Sequence, residues 1–134
     1  MGRVPARPYD FVVIVCRELD FEASHQLPNH PGRCRRLHGH GYRLRVACEA
    51  PVEASTGIAL DFGDLKRIVR ERVLEALDHT HLNDLLPLPS AENICVWIWE
   101  RLASARLPLV DLTLWESPGC FVVYRGPGLE PRGA

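Results

Sequence analysis

The sequence lacks a hydrophobic run long enough to cross a bilayer, and it has almost no net charge. Its apolar run at residues 11–16 is far shorter than the roughly 20 residues of a membrane helix, and no cleavage site typical of an export signal follows it. A formal net charge of -1 provides no overall positive field to attract nucleic acid or anionic lipid. We therefore expect a cytoplasmic protein without nucleic-acid or membrane partners.

The sequence also lacks an even number of cysteines, since it has five. In a protein expected to be cytoplasmic, an odd number favours free thiols over a disulfide framework. Four of the five lie in apolar segments and are predicted to behave as small hydrophobic residues: Cys16, Cys48, Cys95 and Cys120. Cys34 differs, because it lies among arginines.

Repeats, low-complexity linkers and shifts in composition are absent as well, which argues against a second domain. The length of 134 residues, with 46% hydrophobic and 25% charged residues, is typical of one soluble globular domain. We predict a single domain over residues 1–134, with a core at about 9–126 and short flexible ends.

Hydrophobic periodicity predicts an α+β domain. A first strand is predicted over 11–16, with an extension towards Ser24, and a second begins at Tyr42 with strict alternation of apolar and polar residues. Three further strands are predicted over 58–60, 109–116 and 120–124. Asp61 and Ser90 are predicted to cap two amphipathic helices, of which the first ends near Asp78. Because strands and helices do not alternate as in βαβ units, the order predicts an antiparallel sheet with the helices on one face.

Three histidines indicate a metal site. His38 and His40 flank a glycine, so in an extended chain both rings point to the same side. His25, at the end of the first strand, is a candidate third ligand. Three histidines leave a zinc ion one open position, as in catalytic sites.

Cys34 leaves two interpretations open. If its thiolate joins the three histidines, the zinc site is closed and structural. If the thiol is free, the neighbouring Arg33 and Arg35 favour its thiolate, which is then available as a base.

Two further features carry carboxylates. Asp78 next to His79 is the arrangement that orients a proton carrier, although the pair also suits a simple helix end.

Glu116 continues an apolar face of the last long strand, so it either leaves the sheet at the strand end or pairs with a ligand. A ring with two adjacent N–H groups, such as an aminopyrimidinone, is a suitable ligand.

Five segments in this order resemble the family of 6-pyruvoyltetrahydropterin and 6-carboxytetrahydropterin synthases. They are Phe-x-Ala-x-His from Phe21, Cys-x-x-x-His-Gly-His from Cys34, Leu-Asp-His with Leu-Asn-Asp from Leu77, Ser-x-Glu-Asn from Ser90, and Glu-Ser at Glu116 ahead of Tyr-Arg-Gly from Tyr124. The resemblance implies the tunnelling fold, or T-fold. This fold has a four-stranded antiparallel sheet with two helices on one face, and its sheets join into a barrel in a homohexamer of two trimers.

The resemblance also implies roles for residues of this chain. By it, His25, His38 and His40 bind Zn2+, and Cys34 is the general base. Asp78 and His79 assist that base, Glu116 anchors the pterin ring, and Glu92 lines the pterin pocket from a neighbouring subunit.

The implied substrate is 7,8-dihydroneopterin triphosphate. Three residues separate Cys34 from His38, as in the 6-carboxy enzymes of queuosine biosynthesis, whereas the animal 6-pyruvoyl enzymes have five. The resemblance therefore favours a zinc-dependent lyase that releases acetaldehyde and triphosphate, with the 6-pyruvoyl reaction as the alternative. A non-enzymatic structural zinc module is a more distant alternative.

Overall fold

A computed structural model describes residues 11–129, which form one sheet and two helices. The long strands are β1 (Val12–His25), β2 (His38–Pro51), β4 (Leu109–Ser117) and β5 (Cys120–Tyr124), and β3 is the two-residue strand Thr80–His81. Helix α1 covers residues 62–77, and helix α2 is Ala91–Ser104.

The strands lie in the order β3-β1-β2-β4-β5. The pairs β1–β2, β2–β4 and β4–β5 are antiparallel, so the four long strands form the predicted antiparallel sheet. The short β3 adds a parallel edge to β1. It was not predicted, because two residues are too few to show an alternating pattern.

One face of the sheet is packed under both helices, as predicted. The alternating residues of β2 from Tyr42 to Cys48 are fully buried on this face. They share one core with the apolar sides of the helices, which contribute Leu65, Val69, Val73, Leu77, Ile94, Ile98 and Leu102. On the opposite face, Arg43 forms an exposed ion pair with Asp20 at 2.9 Å.

Both predicted caps are present. The carboxylate of Asp61 accepts a hydrogen bond from the backbone N–H of Asp64 (3.0 Å), and the hydroxyl of Ser90 accepts one from Asn93 (3.2 Å). Helix α1 is α-helical over Phe62–Val69 and Glu75–Leu77, and π-helical over Arg70–Leu74.

The predicted strand at 58–60 is wrong. Gly57 has a φ of 72° and donates a backbone hydrogen bond to Glu53 (2.8 Å), which closes a local turn. The chain then reaches the helix cap at Asp61 with no length left for strand pairing. Ala59 and Leu60 are instead half-buried against the core.

The prediction for the four cysteines is also partly wrong. Cys48 and Cys95 are buried, but Cys16 is half-buried and Cys120 is exposed. Cys16 lies on the face of the sheet away from the helices, where its sulfur is 3.3 Å from a guanidinium nitrogen of Arg45. Cys120 begins the edge strand β5, directly after a turn, so neighbouring residues do not cover it.

Candidate active site

The three predicted histidine ligands lie together at one end of the sheet. Strand pairing places His25 opposite His38 and Ala23 opposite His40. Because residues alternate between faces, the rings of His25, His38 and His40 lie on the helix-facing side, in line with Tyr42. Their candidate ligand nitrogens all lie within 4.8 Å of one another.

Hydrogen bonds to backbone carbonyls place a proton on Nδ1 of two of these rings. Nδ1 of His25 lies 2.7 Å from the carbonyl oxygen of Pro89, and Nδ1 of His38 lies 2.7 Å from that of Arg36. A carbonyl oxygen only accepts, so each Nδ1 carries a proton, and when the ring is neutral its Nε2 presents a lone pair. Such carbonyl contacts are typical of metal-binding histidines.

Nε2 of His25 lies 2.9 Å from that of His38 and 3.1 Å from that of His40. When both rings are neutral, the lone pairs of the first two atoms repel each other at 2.9 Å unless a proton or a metal ion lies between them. Ligand atoms about 2.0 Å from a tetrahedral ion lie about 3.3 Å apart, close to the two distances from Nε2 of His25. The donor set therefore fits zinc.

Cys34 lies outside this cluster. Its sulfur is not in the group of mutually close ligand atoms found among residues 11–129, so the described structure does not have the closed site of three histidines and one thiolate. Cys34 lies in the 3-10 turn Arg33–Arg35 and is half-buried. Its carbonyl accepts a hydrogen bond from the N–H of Leu27 (2.6 Å).

Glu116 lies at an irregularity of β4, where the pairing with β5 shifts between Trp115 and Ser117. A bulge re-aims a side chain relative to the alternating pattern, and a carboxylate oxygen of Glu116 lies 3.8 Å from Nε2 of His40. Burial lowers the pKa of His40, and this carboxylate partly offsets the shift. Glu116 and Glu92 line the same cavity of about 300 Å³ within one chain.

Asp78 and His79 form a contact between side chains at 3.0 Å, directly after α1. Both are tied to Glu22: its N–H donates to the Asp78 carboxylate (2.9 Å), and its carbonyl accepts from the N–H of His79 (2.6 Å). The hydrogen bond from Glu22, followed by the charge of His79, lowers the pKa of Asp78. His79 has a positive φ of 59°, so the chain leaves the preceding helix through a left-handed residue.

The pair Asp78–His79 is not brought together with Cys34 in one cavity. His79 lines a cavity of about 620 Å³ with His40, and Cys34 is not among its lining residues. The side chain of His79 is 76% exposed. In a single chain, this side chain therefore faces open space.

Two residues of the same region were not predicted. His81 lies opposite Ser24 in the β1–β3 pair, and its Nδ1 is 3.0 Å from the Ser24 hydroxyl. Asn83 hydrogen-bonds the backbone of Gln26 through both ends of its amide. The only signal in the sequence was the Leu-Asn-Asp motif, which does not reveal the partner.

No helix within residues 11–129 has the length and apolar character required to cross a membrane.

Comparison with known proteins assigns a family. The family model for 6-pyruvoyl tetrahydropterin synthase matches residues 14–127. The chain is 40% identical over 125 residues to the 6-carboxy-5,6,7,8-tetrahydropterin synthase of Synechocystis sp., covering 88% of this chain and 97% of that protein. It is 32% identical over 130 residues to the 6-pyruvoyl tetrahydrobiopterin synthase of Dictyostelium discoideum, covering 85% and 96%.

The fold agrees with a solved structure. The 6-pyruvoyl tetrahydropterin synthase of Caenorhabditis elegans matches with a TM-score of 0.79 at 24% identity, covering 88% of this chain and 98% of that one. The T-fold expected from the sequence motifs is therefore confirmed for the single chain. This chain belongs to the 6-pyruvoyl tetrahydropterin synthase family of enzymes.

Proposed function

We propose that this enzyme is a zinc-dependent lyase that converts 7,8-dihydroneopterin triphosphate to 6-carboxy-5,6,7,8-tetrahydropterin, with release of acetaldehyde and triphosphate. The observation that carries the proposal is the convergence of three histidine nitrogens, to which no fourth histidine, cysteine or carboxylate ligand is added within residues 11–129. Such a site leaves a position open for substrate. The 40% identity to a protein named for the 6-carboxy product supports this choice of reaction.

His25, His38 and His40 would hold the zinc ion. When bound, zinc polarises hydroxyl and carbonyl oxygens and so stabilises the negative charge that develops when a carbon-bound proton leaves. Cys34 would remove that proton as the general base, because a free thiolate is available only if the thiol is not a metal ligand. Asp78 and His79 would accept and return protons around that base.

Glu116 would bind the pterin ring. Its carboxylate can accept two parallel hydrogen bonds from the adjacent N–H groups of the aminopyrimidinone. Glu116 lines the cavity of about 300 Å³, and its carboxylate lies 3.8 Å from Nε2 of His40. A pterin ring bound to Glu116 would therefore place the side chain of the substrate close to the candidate metal ligands. Glu92, which the resemblance implies to come from a neighbouring subunit, lines this cavity together with Glu116 of the same chain and would contribute to the pterin site.

We further propose that the enzyme acts in queuosine biosynthesis, in the cytoplasm, as a homohexamer of two trimers whose sheets join into a barrel. One face of the sheet points away from the helices, and exposed apolar side chains on that face support association with other copies of the chain. Phe121 and Val123 on this face are 54% and 50% exposed.

Identification of the product tests the proposed reaction. Purified protein loaded with zinc is incubated with 7,8-dihydroneopterin triphosphate, and the products are separated and identified by mass. We expect acetaldehyde and a 6-carboxy pterin in equal amounts. A 6-pyruvoyl product would assign the chain to the second candidate reaction, which the 32% identity to the Dictyostelium enzyme supports.

A second measurement separates the metal site from the base. We expect Cys34→Ala to lose turnover but to keep zinc. If it kept full turnover, Cys34 would not be the base. If it lost zinc as His38→Ala does, the closed site of the structural zinc module would be the better interpretation.

A further inference from the structure

Gln26 is the first residue after β1, and its backbone groups lie where the sheet ends. The last β1–β2 pair joins His25 to His38, so Gln26 has no partner in that ladder. The amide of Asn83 provides one. Its Oδ1 accepts from the N–H of Gln26 (2.9 Å), and its Nδ2 donates to the carbonyl of Gln26 (2.9 Å).

An asparagine suits this position because its amide is equivalent to a peptide group, with one acceptor and a donor side by side. The parallel pairing of β1 with β3 ends where the chain turns into the 3-10 helix Leu82–Asp84. Buried Leu82 anchors this turn in the core. Beyond the end of this backbone pairing, the Asn83 side chain forms the next hydrogen bonds, to Gln26, the residue that follows β1.

The contacts of neighbouring residues converge on the same place. Directly before Gln26, His25 binds the carbonyl of Pro89 through its ring (2.7 Å). Directly after it, the N–H of Leu27 binds the carbonyl of Cys34 (2.6 Å). Asn83 therefore binds Gln26, which lies between the proposed metal ligand His25 and Leu27, the residue hydrogen-bonded to the proposed base Cys34.

We propose that Asn83 is a positioning residue of the metal site, which acts through the backbone of Gln26 to hold His25 in its binding geometry. The inference rests on the proposed function, in which His25 binds zinc. Outer-shell partners of metal ligands typically contribute 10–100-fold to metal affinity. Because Asn83 acts one residue away from the ligand, we expect the lower end, about tenfold.

The test is Asn83→Asp, which keeps the size and the acceptor but replaces the donor by a carboxylate oxygen facing a carbonyl. The matched control is Asn29→Asp, which makes the same change at an exposed residue of the following loop. Zinc affinity is measured by competition with a chromogenic chelator, and cobalt(II) binding by visible absorption. Melting of the metal-free proteins by circular dichroism reports the fold separately.

We expect Asn83→Asp to bind zinc about tenfold more weakly and to change the cobalt(II) spectrum, while Asn29→Asp matches the unaltered protein. If Asn83→Asp does not fold, Asn83→Ala removes both hydrogen bonds without adding a charge and must show the same loss. Unchanged zinc affinity and an unchanged cobalt spectrum in the folded variant would overturn the inference alone. If the unaltered protein bound no zinc, the proposed metal site would fail together with it.

Discussion

At the scale of single residues, the protonation of His25 and His38 has the clearest consequence. Both rings donate a hydrogen bond from Nδ1 to a carbonyl, so in the neutral rings the Nε2 lone pairs face each other across 2.9 Å. Neutral rings in this arrangement repel, and a divalent cation relieves the repulsion while a neutral solute does not. Backbone carbonyls thus orient two rings of the candidate metal site, and no motif in the sequence displays these carbonyls.

Removal of one ring tests this site. We expect His38→Ala to lose more than about 100-fold in zinc affinity, which exceeds the effect of losing an outer-shell partner. His30→Ala is the control, because His30 is exposed and lies outside the cluster. Metal content after dialysis, measured by atomic emission, distinguishes the two. Equal zinc retention by both variants would contradict the assignment.

The buried thiols give a prediction about pH. Burial raises the pKa of Cys48 to about 11 and that of Cys95 to about 12. A thiol with a raised pKa in the folded state contributes full stability below its unfolded pKa, about 8.5, and loses this contribution as the pH rises towards the folded value. The free energy of unfolding should therefore fall above about pH 9.

Urea denaturation at increasing pH measures this fall. Cys95→Ala, which lacks one of the two thiols, should show a shallower decline, although it is less stable at neutral pH because of the cavity. Cys120→Ala is the control, because Cys120 is exposed. An identical alkaline decline in all three proteins would show that the buried thiols do not contribute to it.

At the scale of elements, the sequence predicted what depends on local chemistry. The caps at Asp61 and Ser90 and the alternation of β2 are all local patterns, and they are correct. The π-helical turn and the two-residue β3 were not predicted, since neither has a local pattern in the sequence. The carbonyl of Arg72 in the π-helical turn accepts a hydrogen bond from the guanidinium of Arg101 on α2 (2.6 Å), a contact that no local pattern reveals.

The same division holds for the site. The spacing of His38 and His40 sufficed to predict that their rings share a face of the strand. His25 was only a candidate third ligand from its place in the sequence, and the pairing of β1 with β2 brings it to them. The position of Glu116 depends on a bulge, and alternation alone does not predict a bulge. The role of Asn83 depends on a partner 57 residues away.

The junction between β5 and α2 gives a prediction at this scale. Gly126 has a φ of 93°, and a Cβ there would lie 2.5 Å from the ring of Trp99 on α2. Gly126→Ala should therefore destabilise the protein by more than the roughly 1–3 kcal/mol of backbone strain alone. Gly128→Ala isolates that strain, because Gly128 has a φ of 89° and open space around it.

Thermal melting of the two variants measures the difference. We expect Gly126→Ala to have the lower melting temperature, because α2 must shift or the Trp99 ring must rotate away from Tyr124, with which it stacks edge to face at 5.4 Å. Equal melting temperatures would show that the ring moves at no cost.

At the scale of the whole molecule, the proposed catalytic groups are divided. His40 and Glu116 lie close together, and His40 shares a second cavity with His79, but Cys34 does not line that cavity. A small domain with exposed apolar residues on its sheet suits association into an oligomer, in which one copy supplies groups that another lacks. The division of the groups therefore leads us to expect sites formed between subunits.

Mixed oligomers test this expectation. Cys34→Ala lacks the proposed base and Asp78→Ala lacks its partner, so each alone should be inactive. Suppose that Cys34 and Asp78 of one site come from different copies. Random reassembly of an equal mixture then leaves about one quarter of the sites with both native residues, and about one quarter of the activity of the unaltered protein returns. If both residues come from one chain, every site lacks one of them and the mixture stays inactive. Activity that rises on mixing and tracks the formation of mixed oligomers, seen by native mass spectrometry, would establish shared sites, whereas an inactive mixture of mixed oligomers would place each complete site in one chain.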